Sequence, residues 1–238
     1  MEKPAIKNIE LLVHPFFHLR YRFPEPGTLA VLRDYYNPNS ELTGQEHEQI
    51  RTSFFKKWMG VWGKIVQSVE KNPQSILVMT RMNLPDATTK VWDGKKAKIT
   101  KLTRPQEEYS RFAAFAHKRL GNRFVTVSPS IDSGWKSLDL KRIVENRHFN
   151  IAQRLHINGF GEYASDCVLH STQELENSLK AGGFRVTKAI NPKASFSHSD
   201  AFQYYNNKER EILRKRQLQE ARKKKPAVPK PRNRHFRP

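Results

Sequence analysis

The sequence predicts an α/β protein: a doubly wound, mostly parallel sheet of about five strands with helices on both faces, a small inserted hairpin and a basic C-terminal tail. Three observations lead there. Short runs such as residues 8–14 (NIELLVH) and 75–80 (SILVMT) are almost continuously apolar, as in strands covered on both sides. These runs alternate with segments of helical periodicity, the pattern of parallel strands joined by right-handed crossovers. Five such strands are too few to close an eight-stranded barrel, so the sheet is open.

The elements follow in order. Residues 8–14 form the first strand. Pro24, Pro26 and Gly27 mark a loop, with a short helix around 29–35. Thr43 and Glu46 have capping-box spacing. Behind them Ile50, Phe54, Trp58, Val61, Trp62, Ile65 and Val69 line one face of a long amphipathic helix that ends near Asn72-Pro73. Residues 75–80 are the second strand. The polar stretch over about 88–103 alternates around Asp93-Gly94 and predicts an exposed hairpin carrying Lys90, Lys95, Lys96, Lys98 and Lys101. A helix opens at Arg104-Pro105, with acids in its first turn, and closes at Gly121. Residues 123–128 give the third strand, 138–146 a helix, and 154–158 the fourth strand. A glycine loop, a helix to Ala181 and a strand over 185–190 complete the set. Residues 196–205 read as a polar-aromatic bridge closing an α/β domain of residues 1–206. Residues 207–238 then read as a basic helix and a Pro-rich tail, disordered when free.

The net charge is +20, from 43 Lys+Arg against 23 Asp+Glu. Residues 208–238 hold 13 of the basic and three of the acidic side chains, so this short end carries +10 and the rest +10. Such a balance points to a polyanion bound by counterion release. The expected partner is nucleic acid, RNA above all, gripped with little sequence preference because Phe236 is the one aromatic after Tyr205. Candidate contacts are Lys95, Lys96 and Lys98 of the hairpin, and Arg214, Lys215, Arg216, Arg222, Lys223, Lys224, Lys225, Lys230, Arg232 and Arg234 of the tail. A solubilising tail is the plainer alternative. The one cysteine rules out an internal disulfide and cysteine-rich zinc patterns. The N-terminal apolar run is short and broken by His14, Pro15 and His18, so neither a signal peptide nor a membrane span is expected. The expectation is a cytoplasmic protein with no membrane partner.

Ligands of an open α/β sheet bind beyond the carboxyl ends of its strands. Those ends carry His14, then Arg81 and Asn83, then Ser128, then residues 158–162, then Asn191. Glu162 is the one well-placed acid, too few for a two-metal site, and no phosphate-binding P-loop motif occurs. No metal and no cofactor are expected. Cys167 follows Gly159, Gly161 and Glu162 and falls in the first turn of a helix capped by Ser165 or Asp166, where the dipole favours thiolate. Val168, Thr172, Leu175 and Leu179 give that helix its inward spacing.

This strand, glycine loop, Cys167-Val168 and helix, over roughly 155–190, resembles the isochorismatase-like cysteine hydrolases. The resemblance implies a doubly wound sheet, with Cys167 as the nucleophile toward a small amide or ester. The family's first-strand Asp and later Lys have no match here. Either His14 serves as the base for Cys167, with Glu162 as the nearby acid, or the fold persists without the chemistry and Cys167 is a buried structural residue.

Overall fold

The computed structural model describes residues 5–15, 41–80, 88–92, 97–101, 104–127, 150–162 and 167–224. The expected loop at 24–27, the short helix at 29–35, the Asp93-Gly94 turn, the helix at 138–146 and the tail beyond 224 lie outside them, as do Arg81, Asn83 and Ser128.

Five strands pair in parallel: β1 (Ile6–Val13), β2 (Ser75–Thr80), β5 (Phe124–Val127), β6 (Ile151–Glu162) and β7 (Arg185–Phe196). Their order across the sheet is β5-β2-β1-β6-β7, the doubly wound arrangement. A separate antiparallel hairpin joins β3 (Thr88–Trp92) to β4 (Ala97–Lys101), with Val91 opposite Lys98. Four α-helices and a 3-10 turn (Gly121–Arg123) complete the described chain: α1 (Gly44–Lys71), α2 (Arg104–Leu120), α3 (Leu169–Ala181) and α4 (His198–Lys224).

Strand alternation deals the apolar side chains to two layers. One layer holds Leu12, Leu77, Met79, Phe124, Phe160 and Phe196 against α1, α2 and α4. The other holds Ile9, Leu11, Val13, Val78, Leu155 and Ile157 against α3. Leu11, Leu12 and Val13 are all 0 % exposed, which explains why β1 reads as a continuous apolar run.

The capping box of α1 forms as expected. Glu46 N–H donates to Thr43 Oγ1 at 3.3 Å, and Thr43 N–H donates back to Glu46 Oε2 at 2.8 Å. Phe54, Trp58, Trp62 and Val69 are buried on this helix, but Val61 and Ile65 sit at the margin and Val66 takes the centre. Trp62 Nε1 donates to the Ala194 carbonyl at 3.0 Å, pinning α1 to β7. At the far end of α1 the Arg123 guanidinium donates to the carbonyls of Val69 (2.6 Å), Asn72 (2.7 Å), Ser75 (3.1 Å) and Glu70 (3.1 Å). It thereby joins two carbonyls of the last turn of α1, Val69 and Glu70, to those of the turn into β2.

Two elements are longer than the sequence spacing indicated. β6 runs to Glu162, so the expected glycine loop is strand. The reason is close packing: a Cβ on Gly159 would stand 2.1 Å from Thr172 Oγ1 of α3. β7 continues past Ile190 through a bulge, since Gly159 pairs with Ile190 but Gly161 pairs with Ser195. Pro192 lies within the bulge, where a missing N–H costs no ladder bond.

The stretch read as a bridge is the first turns of α4. Ser197 and Asp200 make a second capping box: Asp200 N–H donates to Ser197 Oγ at 3.2 Å, and Ser197 N–H to Asp200 Oδ2 at 2.7 Å. Ala201 and Tyr205 are buried against α1, and the Phe54 and Tyr204 ring centroids lie 5.0 Å apart with the rings tilted by 54°. The helix runs unbroken through residues 206 and 207 to Lys224.

Candidate functional site

β1 and β6 are neighbours at the centre of the sheet although one is the first core strand and the other the fourth. This is the point where the winding reverses, and the crevice beyond it is where open α/β sheets take ligands. The last registered pair of these two strands is Val13 with Gly161, so His14 follows β1 just where Glu162 ends β6, still paired with Phe196 of β7. Both residues lie at the carboxyl edge of the sheet, on neighbouring strands.

Both are buried, with 6 % of His14 and none of Glu162 exposed. His14 takes φ 48, a left-handed conformation uncommon outside glycine. Its N–H donates to Thr80 Oγ1 at 3.0 Å, tying the end of β1 to the end of β2. Burial pushes the imidazole down to about 4, so at neutral pH it is an uncharged ring with one acceptor nitrogen. Gly161 makes this crossing possible. Its φ is +132, and a Cβ there would stand 2.2 Å from the Val13 carbonyl oxygen.

Cys167 lies five residues beyond Glu162, in a wide turn that leads into α3. It is half-buried and packs against both apolar layers, so it sits around the end of the sheet. Its carbonyl accepts from Ser171 Oγ at 2.5 Å, and that of Val168 accepts from Thr172 Oγ1 at 2.6 Å. The expected caps, Ser165 and Asp166, lie outside the described residues.

The basic candidates divide. Lys215 is tied to Glu211 at 2.8 Å, and Lys208 grips the same carboxylate at 2.7 Å. Together they hold Glu211 down at about 2. Arg216 pairs with Glu46 at the start of α1 and donates to the Glu41 carbonyl at 3.2 Å. These two candidates help fasten the helix. Arg214, Arg222 and Lys223 are exposed, and every residue from Gln217 to Lys223 is exposed. Lys98 is placed in β4 and Lys224 at the end of α4 by backbone alone, whereas Lys95, Lys96, Lys225, Lys230, Arg232 and Arg234 lie outside the described residues.

Sequence reasoning missed a polar ladder on the sheet itself. Asn158 Nδ2 donates to Glu10 Oε2 at 2.7 Å, and His156 Nδ1 lies 3.0 Å from Thr187 Oγ1. Burial raises the Glu10 carboxyl above its ordinary value, against the lowering by Asn158 and His156. The signal was present in β6, where Arg154, His156 and Asn158 alternate with Leu155 and Ile157. Among the described residues no helix is long and apolar enough to cross a membrane. Compared with family models, curated proteins and solved structures, this chain matches none, so its function rests on its own geometry and charge.

Proposed function

We propose that the protein binds RNA through electrostatics, using the basic α/β body and α4 as an arm. The observation that supports this most is the form of α4. Up to Arg216 it is fastened to the body by Ala201, Tyr205 and the Arg216–Glu46 pair. From Gln217 it is exposed on all sides and delivers Arg222 and Lys223 to solvent just before the remaining basic residues of the chain. The seven residues 217–223 project roughly 10 Å at helical rise, an arm that adds reach without adding core. Phosphate neutralisation by such an arm gives affinity that falls steeply with salt.

The anchoring also fixes where the arm is cut. Ending the chain at residue 206 would strip Ile212, Leu213 and Arg216 from the packing, so the informative cut follows Ala221. It removes Arg222, Lys223, Lys224, Lys225, Lys230, Arg232, Arg234 and Arg237. The full chain is expected to bind a single-stranded RNA with a log–log salt slope several units steeper than the shortened chain, at about 0.7 per phosphate neutralised. Absence of binding at low salt would remove the reading altogether, and equal slopes would remove α4 and its extension from it.

A second reading, a cysteine hydrolase of a small amide or ester with degenerate machinery, has one observation in its favour. His14 follows β1 and Glu162 ends β6 at the reversal point, and Cys167 lies in the turn that leads into α3. Alkylation of Cys167 by iodoacetamide below pH 8, lost in a Cys167→Ser control, is the expected mark of an activated thiol. An inert thiol would leave Cys167 a packing residue.

A further inference from the structure

Parallel sheets normally have both faces covered. Here one face changes character along its length. Toward the carboxyl end it presents Leu12, Phe160, Ala194 and Phe196 to α1 and α4. Toward the amino end the same face presents Asn8 and Glu10 of β1, Arg154, His156 and Asn158 of β6, and Arg185 and Thr187 of β7. The assignment follows from alternation, because Leu155 and Ile157, and Val186 and Ile190, pack into the opposite layer under α3. Arg154, Arg185 and Thr187 are exposed, and His156 and Asn158 partly so.

Arg154 and Arg185 are register partners on adjacent strands. Two guanidiniums side by side repel each other, and among the described residues neither has a carboxylate partner. An anion between them turns that repulsion into two charge-assisted bonds. Next along the strands come His156 and Thr187, already hydrogen-bonded to each other, and then Asn158. Successive same-face rungs repeat about every 6.6 Å along a strand, a spacing within the reach of neighbouring phosphates on an extended single strand. Guanidinium planes also stack on unpaired bases, which a single strand offers and a duplex does not.

We propose that this open polar face of β1, β6 and β7 is where the backbone of single-stranded RNA lies, with Arg154 and Arg185 gripping phosphate. The proposal rests on the RNA-binding reading above and says where on the body the RNA lies, beside the contacts of the arm. Among the described residues the face carries one opposing charge, Glu10, which Asn158 holds by its amide. That gives a test in both directions. In full-length protein, Arg154→Gln with Arg185→Gln is expected to weaken binding of a single-stranded RNA about tenfold and to lower the salt slope by about 1.4, two contacts at 0.7 each. Glu10→Gln keeps an oxygen for Asn158, removes the negative charge and is expected to tighten binding severalfold, a gain that structural damage does not produce. The control is Lys64→Gln with Lys118→Gln, the same charge change at exposed positions on α1 and α2. All variants are compared at matched melting temperature. If the control loses as much as the arginine pair, or Glu10→Gln gains nothing, the face is not the seat. If wild type binds no RNA at all, the underlying reading fails first, and the two failures are told apart by that one measurement.

Discussion

At the level of single residues, the junction of β1 and β6 is the most constrained place in the molecule. Gly161 can be nothing else, because φ +132 and the Val13 carbonyl at 2.2 Å from a would-be Cβ leave no room. Gly161→Ala is expected to cost roughly 3 kcal/mol or more in urea unfolding, through backbone strain and overpacking together. A variant within 1 kcal/mol of wild type would mean that the strand ends part easily. His14 makes a different prediction. Its folded-state value of about 4 lies below the ordinary 6.5, so as pH falls the unfolded chain takes up this proton first. Stability is therefore complete above about pH 6.5 and is lost progressively as pH falls toward 4, by roughly 3 kcal/mol across the window. His14→Asn tolerates the left-handed backbone and does not titrate. Between pH 7 and pH 4.5 it should lose about 2–3 kcal/mol less stability than wild type. Parallel pH profiles for the two proteins would place the imidazole in contact with water.

At the level of elements, the ends of helices decide how the layers hold. Arg123 gathers four carbonyls where α1 hands over to β2. Its loss in Arg123→Ala should cost roughly 2–3 kcal/mol, since hydrogen bonds from a charged donor are the stronger kind. Arg123→Lys should recover less than half, because an ammonium lacks the planar fork. An unchanged melting temperature in the alanine variant would show that water replaces the guanidinium there. The same ends show what the sequence could reveal. The α1 cap, the apolar β1 and β2 and the order of strands and helices were legible because they depend on neighbours a few residues apart. The start of α4 was equally local, in Ser197 and Asp200 followed by Ala201 and Tyr205, but Tyr204 and Tyr205 were read as a bridge rather than as an inward stripe. The strand character of Gly159 to Glu162 was not legible, since two glycines signal a turn until Thr172 and Val13 are seen pressing on them. His14 and Glu162 were found by topology alone. The ladder from Arg154 to Asn158 was overlooked because a polar alternation in a short strand resembles an ordinary solvent face.

At the level of the whole molecule, the charge acts on the fold as well as on a partner. An excess of 20 positive charges repels itself most strongly in the compact state. Local pairs relieve little of it: Lys208 and Lys215 share one Glu211 at the surface, where water and salt screen such pairs. Screening should therefore stabilise the protein. The Debye length shrinks from about 30 Å at 0.01 M salt to about 10 Å at 0.1 M, which covers most charge separations on a body of this size. The melting temperature at pH 7 is expected to rise by several degrees between these two concentrations of NaCl. A bound polyanion relieves the same repulsion and adds its binding energy to the folded state. RNA at low salt should thus raise the melting temperature beyond what 0.1 M NaCl achieves alone, and the extra rise should vanish as NaCl is added. A melting temperature that falls with salt would mean that attractive pairs outweigh repulsion. A rise with NaCl but none with RNA would leave the charge as a burden on the fold rather than a grip on a partner.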